Sequence, residues 1–485
     1  MSENSGNEYR EQRLANMREL ERRGYPPFGG AFERTGRLAD IRAGFAEGTI
    51  VRAAGRLMTV RSMGKSVFAD LRDGSDRFQV YVKRGALPDD AFEAFAFADL
   101  GDHVGVTGKL FTTRMGEKTI EVSAWTLLGK ALRAPPEKWH GLRDTEQRYR
   151  QRYLDLAANP EVRARFDRRI AMVREIRAFL HARGYQEVET PMMQPLAGGA
   201  AARPFKTHYQ ALGIDMYLRI APELYLKRLL VGGFDRLFEI NRNFRNEGID
   251  RTHAPEFTMM ELYEAYGDLR TMRALVEGLL SHVAAAVFGG PRVTVGGETI
   301  DFTPPFAERA YRDLVRERMG ADWFDLAVPA AAGRARDAGL EIDPAWNHLL
   351  VTHEVYEKLI EKSLRQPTLV TRLPQELVPL ARRCSDDPTV VDVFELVIAG
   401  QEVAPAYSEI NDPLEQRARF EAQAAGEGGR LDEDFLTALE HGMPPAGGMG
   451  LGIDRLAMIL SGADALRDVI LFPQLRPRAE DPPTA

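Results

Sequence analysis

Apolar residues recur along this chain with two different periods, and the changes between them divide it. Residues 8–23, EYREQRLANMRELERR, set Leu14, Met17 and Leu20 in a thin stripe at helical spacing among charges of both signs. GYPPFGG then stops the helix, because proline and glycine break regular backbone. From 49 to 128 the period shortens to two. TIVRAAGRLMTVR, SVFADLRD, RFQVYVKR, HVGVTGKLFTTR and TIEVSAWTLLG read as five short strands parted by Gly, Asp and Lys turns. ALPDDAFEAFAFADL places a helix between the third and fourth. This order predicts a small Greek-key barrel of the OB type over 49–130, preceded by a helical extension over 1–48. The basic, proline-containing stretch 131–150, ALRAPPEKWHGLRDTEQRYR, predicts a linker.

Past the linker the helical period returns. Phe166, Ile170, Val173, Ile176 and Phe179 follow three- and four-residue spacing, predicting an amphipathic helix that Gly184 ends. YQEVETPMM follows as a strand closed by Pro191. Strands and helices then alternate irregularly, as in an α+β domain over 151–485 built on an antiparallel sheet. Residues 305–385 are helix-rich, and ADWFDLAVPAAAGRARDAGLEIDP within them reads as an insertion.

Composition narrows the class without fixing it. The 485 residues leave room for two to four domains, and 44% hydrophobic with 28% charged is ordinary for a globular protein. No uninterrupted apolar run approaches the ~18–20 residues of a membrane span, and the N-terminal MSENSGNEYREQRL lacks the apolar core of a signal peptide. The single Cys384, without an obvious base partner, excludes an intrachain disulfide and a cysteine-rich metal site, so a reducing cytoplasm is expected. The net charge of −7 is uneven: residues 1–150 carry 25 basic against 21 acidic side chains, the remainder 39 against 50. The positive excess lies N-terminally, where polyanion contact would be placed, although a solvated surface is the better explanation of so small an excess.

The chemistry concentrates in 241–266, NRNFRNEGIDRTHAPEFTMMELYEAY. Two strand-like runs flank a polar loop, and Phe257, Met259, Glu261 and Tyr263 fall two residues apart, on one face. A strand buried for packing alone would not spend that face on a carboxylate and a phenol. The segment resembles motif 2 of the class II aminoacyl-tRNA synthetases. The long helix, strand and Pro191 resemble motif 1, which implies a homodimer; GMGLGIDRLAMIL resembles motif 3. Singly these are weak: GLGIDR suits any Gly-rich turn, and a loop histidine is usually just a surface histidine. Three motifs in order are another matter.

Adenylate formation needs negative charge quenched on ATP and on an attacking carboxylate, a task for guanidinium groups and divalent metal. The resemblance implies that Arg245 contacts the α-phosphate and the substrate carboxylate. It implies further that Arg455 serves with Gly450 and Gly452 in motif 3, that Phe257 stacks on adenine, and that Glu247 and His253 complete the ATP site. Glu395 and Glu402, seven apart in FELVIAGQEV, match carboxylates that hold Mg²⁺.

The resemblance also implies that Glu223 in RIAPELYLKR, Glu261 with Tyr263, and Glu409 after Tyr407 converge on the active site, and such a cluster of carboxylates with two phenols suits a guest carrying two ammonium groups. GGAAARPFKTH, DMYLRIAPELYLKRLLVGGFDRLFEINRNFRNEG and EFTMMELYEAY closely resemble the class II lysyl-tRNA synthetases over nearly the whole chain. The resemblance implies that Gly199, Glu223 and Glu261 hold the α-amine, that Tyr263 and Glu409 hold the ε-amine, and that Tyr407 packs on the aliphatic stem. It also implies that Arg61, Phe68, Gln79 and Glu117 of the barrel read the anticodon of tRNA(Lys). One position departs: Ala404-Pro405-Ala406-Tyr407 puts proline where the family commonly has asparagine, so Pro405 receives no binding role. Two alternatives remain: a paralogue passing lysine or β-lysine to a non-tRNA acceptor, which typically lacks the barrel, and a non-catalytic RNA-binding paralogue.

Overall fold

Period-two patterning closes on itself in the first part of the chain. In a computed structural model, which describes residues 3–135, 142–200, 202–427 and 431–478, the chain separates into two compact units, Met1–Asp144 and Thr145–Ala485. The boundary falls inside the stretch expected as a linker, whose centre, 136–141, lies outside the described residues.

In the first unit the strands Ile50–Met63, Ser66–Arg72, Arg77–Lys83, His103–Thr112 and Lys118–Gly129 form a closed barrel in the order first, second, third, fifth, fourth. Alternate residues such as Val51, Ala53, Val67, Ala69, Phe78, Val80, Val104 and Val106 fill the interior. The helix Asp89–Phe95 stands between the third and fourth strands. Closure brings backbones close: a Cβ on Gly108 would lie 2.2 Å from the Glu121 carbonyl oxygen, so only glycine fits that bulged crossing. The N-terminal helix Glu3–Arg22 buries Leu20 in the barrel core, while Arg13 donates to the Leu100 and Ala131 carbonyls.

The second unit is built on an eight-stranded sheet. Its spatial order is Ala307–Ala310, Thr368–Thr371, Val393–Ile398, Gln401–Ser408, Ala446–Gly452, Glu256–Ala265, Arg236–Phe244 and Gln186–Glu187, antiparallel except for the pair at each edge. Its two faces have different fates. Phe238, Met260, Leu262, Phe394, Leu396, Met449 and Leu451 point into a core shared with the helices Pro160–His181, Leu269–Phe288 and Ile453–Leu460. The alternate residues point the other way, and there the site is built.

Three sequence expectations take a different form. In helix Pro160–His181 Phe166, Ile176 and Phe179 are buried with Met172 and Leu180, but Ile170 is 61% exposed in the single chain. Helix Leu269–Phe288 is long and apolar enough by composition to cross a membrane; its Met272, Leu275, Val276, Leu279, Leu280 and Val283 are instead core side chains of this sheet. The 305–385 region is not simply laid onto the domain. It opens with the edge strand Ala307–Ala310 and returns as Thr368–Thr371 beside it, in parallel, so the helices between them form a crossover.

Candidate functional site

Strand alternation places the acids. On strand Glu256–Ala265 the even positions Met260 and Leu262 enter the core, so Glu261 and Tyr263 face the opposite side. In register across the sheet, Glu261 lies between Glu239 and Gly450, and Tyr263 lies beside Gly448, whose other neighbour is Tyr407. Two carboxylates directly opposed on adjacent strands would repel. Arg219 relieves this: its guanidinium meets Glu239 at 2.7 Å, with both side chains essentially inaccessible to water. Among the described residues Glu261 accepts one side-chain hydrogen bond, from the Tyr263 hydroxyl at 3.4 Å.

The two glycines make the floor. A Cβ on Gly448 would stand 2.0 Å from Glu409 Oε1 and 2.5 Å from the Tyr263 ring; one on Gly450 would meet the Met259 terminal methyl at 2.5 Å. Glu223 enters from the first turn of helix Glu223–Val231, next to Gly199. Gly199 has φ +89°, which a side chain disfavours, and a Cβ there would press on Ala221 and on the Glu223 Cβ. The hollow thus gathers Gly199, Glu223, Glu261, Tyr263, Tyr407 and Glu409. It also holds a residue absent from the sequence reading. Lys227, one turn beyond Glu223 and 0% exposed, places its ammonium 2.6 Å from Glu223 and 2.5 Å from Glu409. The four-residue spacing of Glu223 and Lys227 was the available signal.

Burial without enough positive charge perturbs these acids. Desolvation, then repulsion from Glu223, pushes the Glu261 carboxyl up to about 8 against the pull of Arg219 and Arg245. Burial raises Glu409 as well, opposed by Lys227, which remains cationic because both its partners are carboxylates. The Tyr263 and Tyr407 phenols are held protonated, by burial first and the surrounding glutamates second. Such a pocket favours cationic guests.

Arg245 follows strand Arg236–Phe244, its guanidinium 5.1 Å from the centroid of the Phe257 ring. Its Nε is buried with no hydrogen-bond partner among the described residues, leaving donor capacity for a ligand. His253 is exposed, held by Asp250 at 2.8 Å, and its Nε2 lies 3.4 Å from Arg455. Arg455 also donates to the Glu402 carbonyl at 2.8 Å. His253, Arg455 and Glu402 border a cavity of about 520 Å³ with Glu361, Arg365 and Lys358. Glu247 stands apart: exposed in the loop, its side chain makes no hydrogen bond or ion pair with another described residue.

Glu395 and Glu402 lie on the hairpin of strands Val393–Ile398 and Gln401–Ser408. The turn is narrow: a Cβ on Gly400, at φ +77°, would come 2.7 Å from the Lys362 carbonyl oxygen. Glu361 joins them, accepting from the Glu402 N–H at 3.1 Å; no sequence motif marked it. Burial, then Glu402, Glu361 and Glu357, hold the Glu395 carboxyl well above the usual carboxylate range, and burial brings Glu361 up to about 7. Among the described residues no three His, Cys, Asp or Glu side chains form a ready-made metal cage. An oxygen-only set of crowded carboxylates beside a phosphate-sized cavity nevertheless fits Mg²⁺, which prefers a few carboxylates plus phosphate and water. Pro405, opposite Glu395, sits where pairing with strand Ala446–Gly452 has stopped, since that pairing covers Ala406–Ser408.

On the barrel, Arg61, Phe68 and Tyr81 form one register row across three strands, and Gln79 lies on the same face two residues from Tyr81. Phe68 and Tyr81 rings lie 4.6 Å apart and Phe111 lies 5.9 Å from Tyr81, extending the single expected aromatic into a row of three. Gln79 accepts from the Thr119 hydroxyl at 2.9 Å, while Glu117 is exposed at the turn before Thr119.

Comparison with known proteins agrees with this architecture. The family model described as tRNA synthetases class II (D, K and N) matches residues 144–476, and that described as OB-fold nucleic acid binding domain matches residues 51–128. The lysine–tRNA ligase of Moorella thermoacetica is 50% identical over 96% of this chain and 98% of its own length. Those of Pelotomaculum thermopropionicum and Bacillus subtilis are 48% and 45% identical, covering 97% of this chain and 96% and 98% of their own lengths.

Proposed function

The chain belongs to the class II tRNA synthetases, among the lysine–tRNA ligases, and we propose from that premise how its own side chains perform the reaction. The enzyme activates L-lysine with ATP to lysyl-adenylate and transfers the lysyl group to the 3′ end of tRNA(Lys). The observation that carries the assignment of roles is the convergence of Glu223, Glu261 and Glu409, with two phenols, on one buried hollow next to Arg245.

Glu223 and Glu261 receive the α-ammonium beside Gly199. Glu409 and Tyr263 receive the ε-ammonium, and the Tyr407 ring lies along the methylene stem. Arg245 pairs with the substrate carboxylate and the α-phosphate, bringing the attacking oxygen and the phosphorus together with their charge neutralised. Phe257, braced by Arg245, supplies the face on which adenine stacks. Arg455 and His253 take the outer phosphates at the 520 Å³ cavity. Glu395 and Glu402 would hold Mg²⁺, which when bound would offset the negative charge of the phosphates. With Pro405 where the family commonly has asparagine, no side-chain amide is available at that position, and Arg245 Nε, without a hydrogen-bond partner among the described residues, is a spare donor for the substrate carboxylate.

An acceptor other than tRNA is disfavoured by the barrel, which is matched along with the catalytic unit in the lysine–tRNA ligases. A non-catalytic role is disfavoured by the presence of Arg245, Arg455, Glu395 and Glu402. Phe68, Tyr81, Gln79, Arg61 and Glu117 form the surface assigned to the anticodon. A homodimer accounts for Ile170 at 61% and Met193 at 52% exposed, and the cytoplasm is the proposed compartment.

Pyrophosphate exchange with lysine, β-lysine, ornithine and aspartate, followed by charging of total tRNA, tests the reading. Exchange with lysine and charging of lysine acceptors alone are expected. Exchange with β-lysine or aspartate in preference to lysine would overturn the assignment of the pocket.

A further inference from the structure

Lys227 is a cation wholly enclosed between two acids of the substrate hollow, and nothing in the reaction as derived uses it. Its ammonium bridges Glu223, at 2.6 Å, and Glu409, at 2.5 Å. Those two carboxylates are the ones assigned to opposite ends of the substrate. The Tyr263 ring centroid lies 5.9 Å from the same ammonium. Lys227 itself is 0% exposed, so it has no alternative partner in water.

Counting charge in the hollow gives its purpose. Ionised in the complex with lysine, Glu223, Glu261 and Glu409 bring three negative charges; Glu239 is already matched by Arg219 at 2.7 Å. Lysine brings two ammonium groups to these acids and presents its carboxylate to Arg245. Without a resident cation one buried carboxylate would remain uncompensated in the complex, at a cost far exceeding that of an exposed one. With Lys227 in place the hollow carries two net negative charges for a guest with two positive ones.

We propose that Lys227 is a specificity-determining positioning residue that sets the net charge of the substrate hollow to match a dication and fixes Glu223 and Glu409 relative to each other. This rests on the assignment of the hollow to lysine. Lys227 touches neither reacting atom, so its effect falls on lysine binding and not on the ATP side. The titratable groups facing it are Glu223 from its own helix, Glu409 beyond strand Gln401–Ser408, and Tyr263 and Glu261 from strand Glu256–Ala265. Tyr407 lies close to both Glu223 and Glu409.

The test uses the full chain in lysine-dependent pyrophosphate exchange, comparing Lys227→Met, Glu223→Gln and the double variant. Lys227→Met is expected to raise the KM for lysine by at least about tenfold, the worth of one charged hydrogen bond, while the KM for ATP stays within about twofold. The double variant is the sharper measurement. Glu223→Gln alone leaves the hollow one negative charge short, and removing Lys227 as well restores the balance. The double variant is therefore expected to have a lower KM for lysine than Glu223→Gln alone. A residue needed merely for packing would make the double variant worse than either single change.

An unchanged lysine KM in Lys227→Met, or a double variant weaker than Glu223→Gln, overturns the inference. If thermal melting shows Lys227→Met unfolded, the double variant, which leaves one buried carboxylate fewer without its cation, decides; its failure to fold as well would make Lys227 a stability residue and also overturn the inference. The assignment of the hollow fails separately, through wild-type protein that shows no lysine-dependent exchange.

Discussion

Gly448→Ala would insert a single methyl group at the point where the substrate hollow is tightest. The added carbon would lie 2.0 Å from Glu409 Oε1 and 2.5 Å from Tyr263 Cε1, where ordinary contact begins at 3.4 Å. Glu409 must then retreat by about 1.4 Å, the difference between those values. It cannot swing freely, because it is 1% exposed and held by Lys227. A carboxylate displaced by that much no longer makes a charged hydrogen bond of normal length, a loss of about 1.5–3 kcal/mol. The KM for lysine should rise roughly 10- to 150-fold, with the KM for ATP unchanged, since the phosphate cavity lies at Arg455 and Glu402. Pyrophosphate exchange across a range of lysine and ATP concentrations measures both. A lysine KM within threefold of wild type, in a variant whose thermal melting is normal, would refute the placement of the ε-ammonium between Glu409 and Tyr263.

Glu409→Gln should leave the fold intact but severely reduce lysine activation, because the ε-ammonium loses its anionic partner; unchanged exchange would remove Glu409 from the site. Glu261 binds its proton up to about pH 8 in the folded, ligand-free protein but only to about 4.5 in the unfolded chain. Its contribution to stability should therefore fall as pH rises from about 4.5 to about 8. Lysine, which prefers the ionised carboxylate, should release most of one proton at pH 7, measurable by calorimetry in buffers of different ionisation enthalpy; no buffer dependence would contradict it. Phe68→Ala should weaken charging of tRNA by the ~1–3 kcal/mol of one stacked base while adenylate formation is unaffected, and equal losses in both assays would contradict the anticodon assignment.

The sequence alone determined the parts that depend on local spacing. Alternation at 49–128 specified five inward-facing rows, which became the barrel, and the two-residue spacing of Glu261 and Tyr263 put both on one face. Periodicity could not say that helix Leu269–Phe288 is a core helix, or that Ile170 stays exposed in the single chain, because burial is a property of what packs against a face. Nor could it show that the 305–385 region supplies two strands of the main sheet, since parallel pairing joins segments with long intervening chain. Within the hollow, spacing identified the acids but not their charge balance. Gly448, Glu361 and Lys227 acquired their places through strand register and helix approach. Electrostatic matching sums over groups brought together from separate elements, so it comes into existence only when the chain has folded.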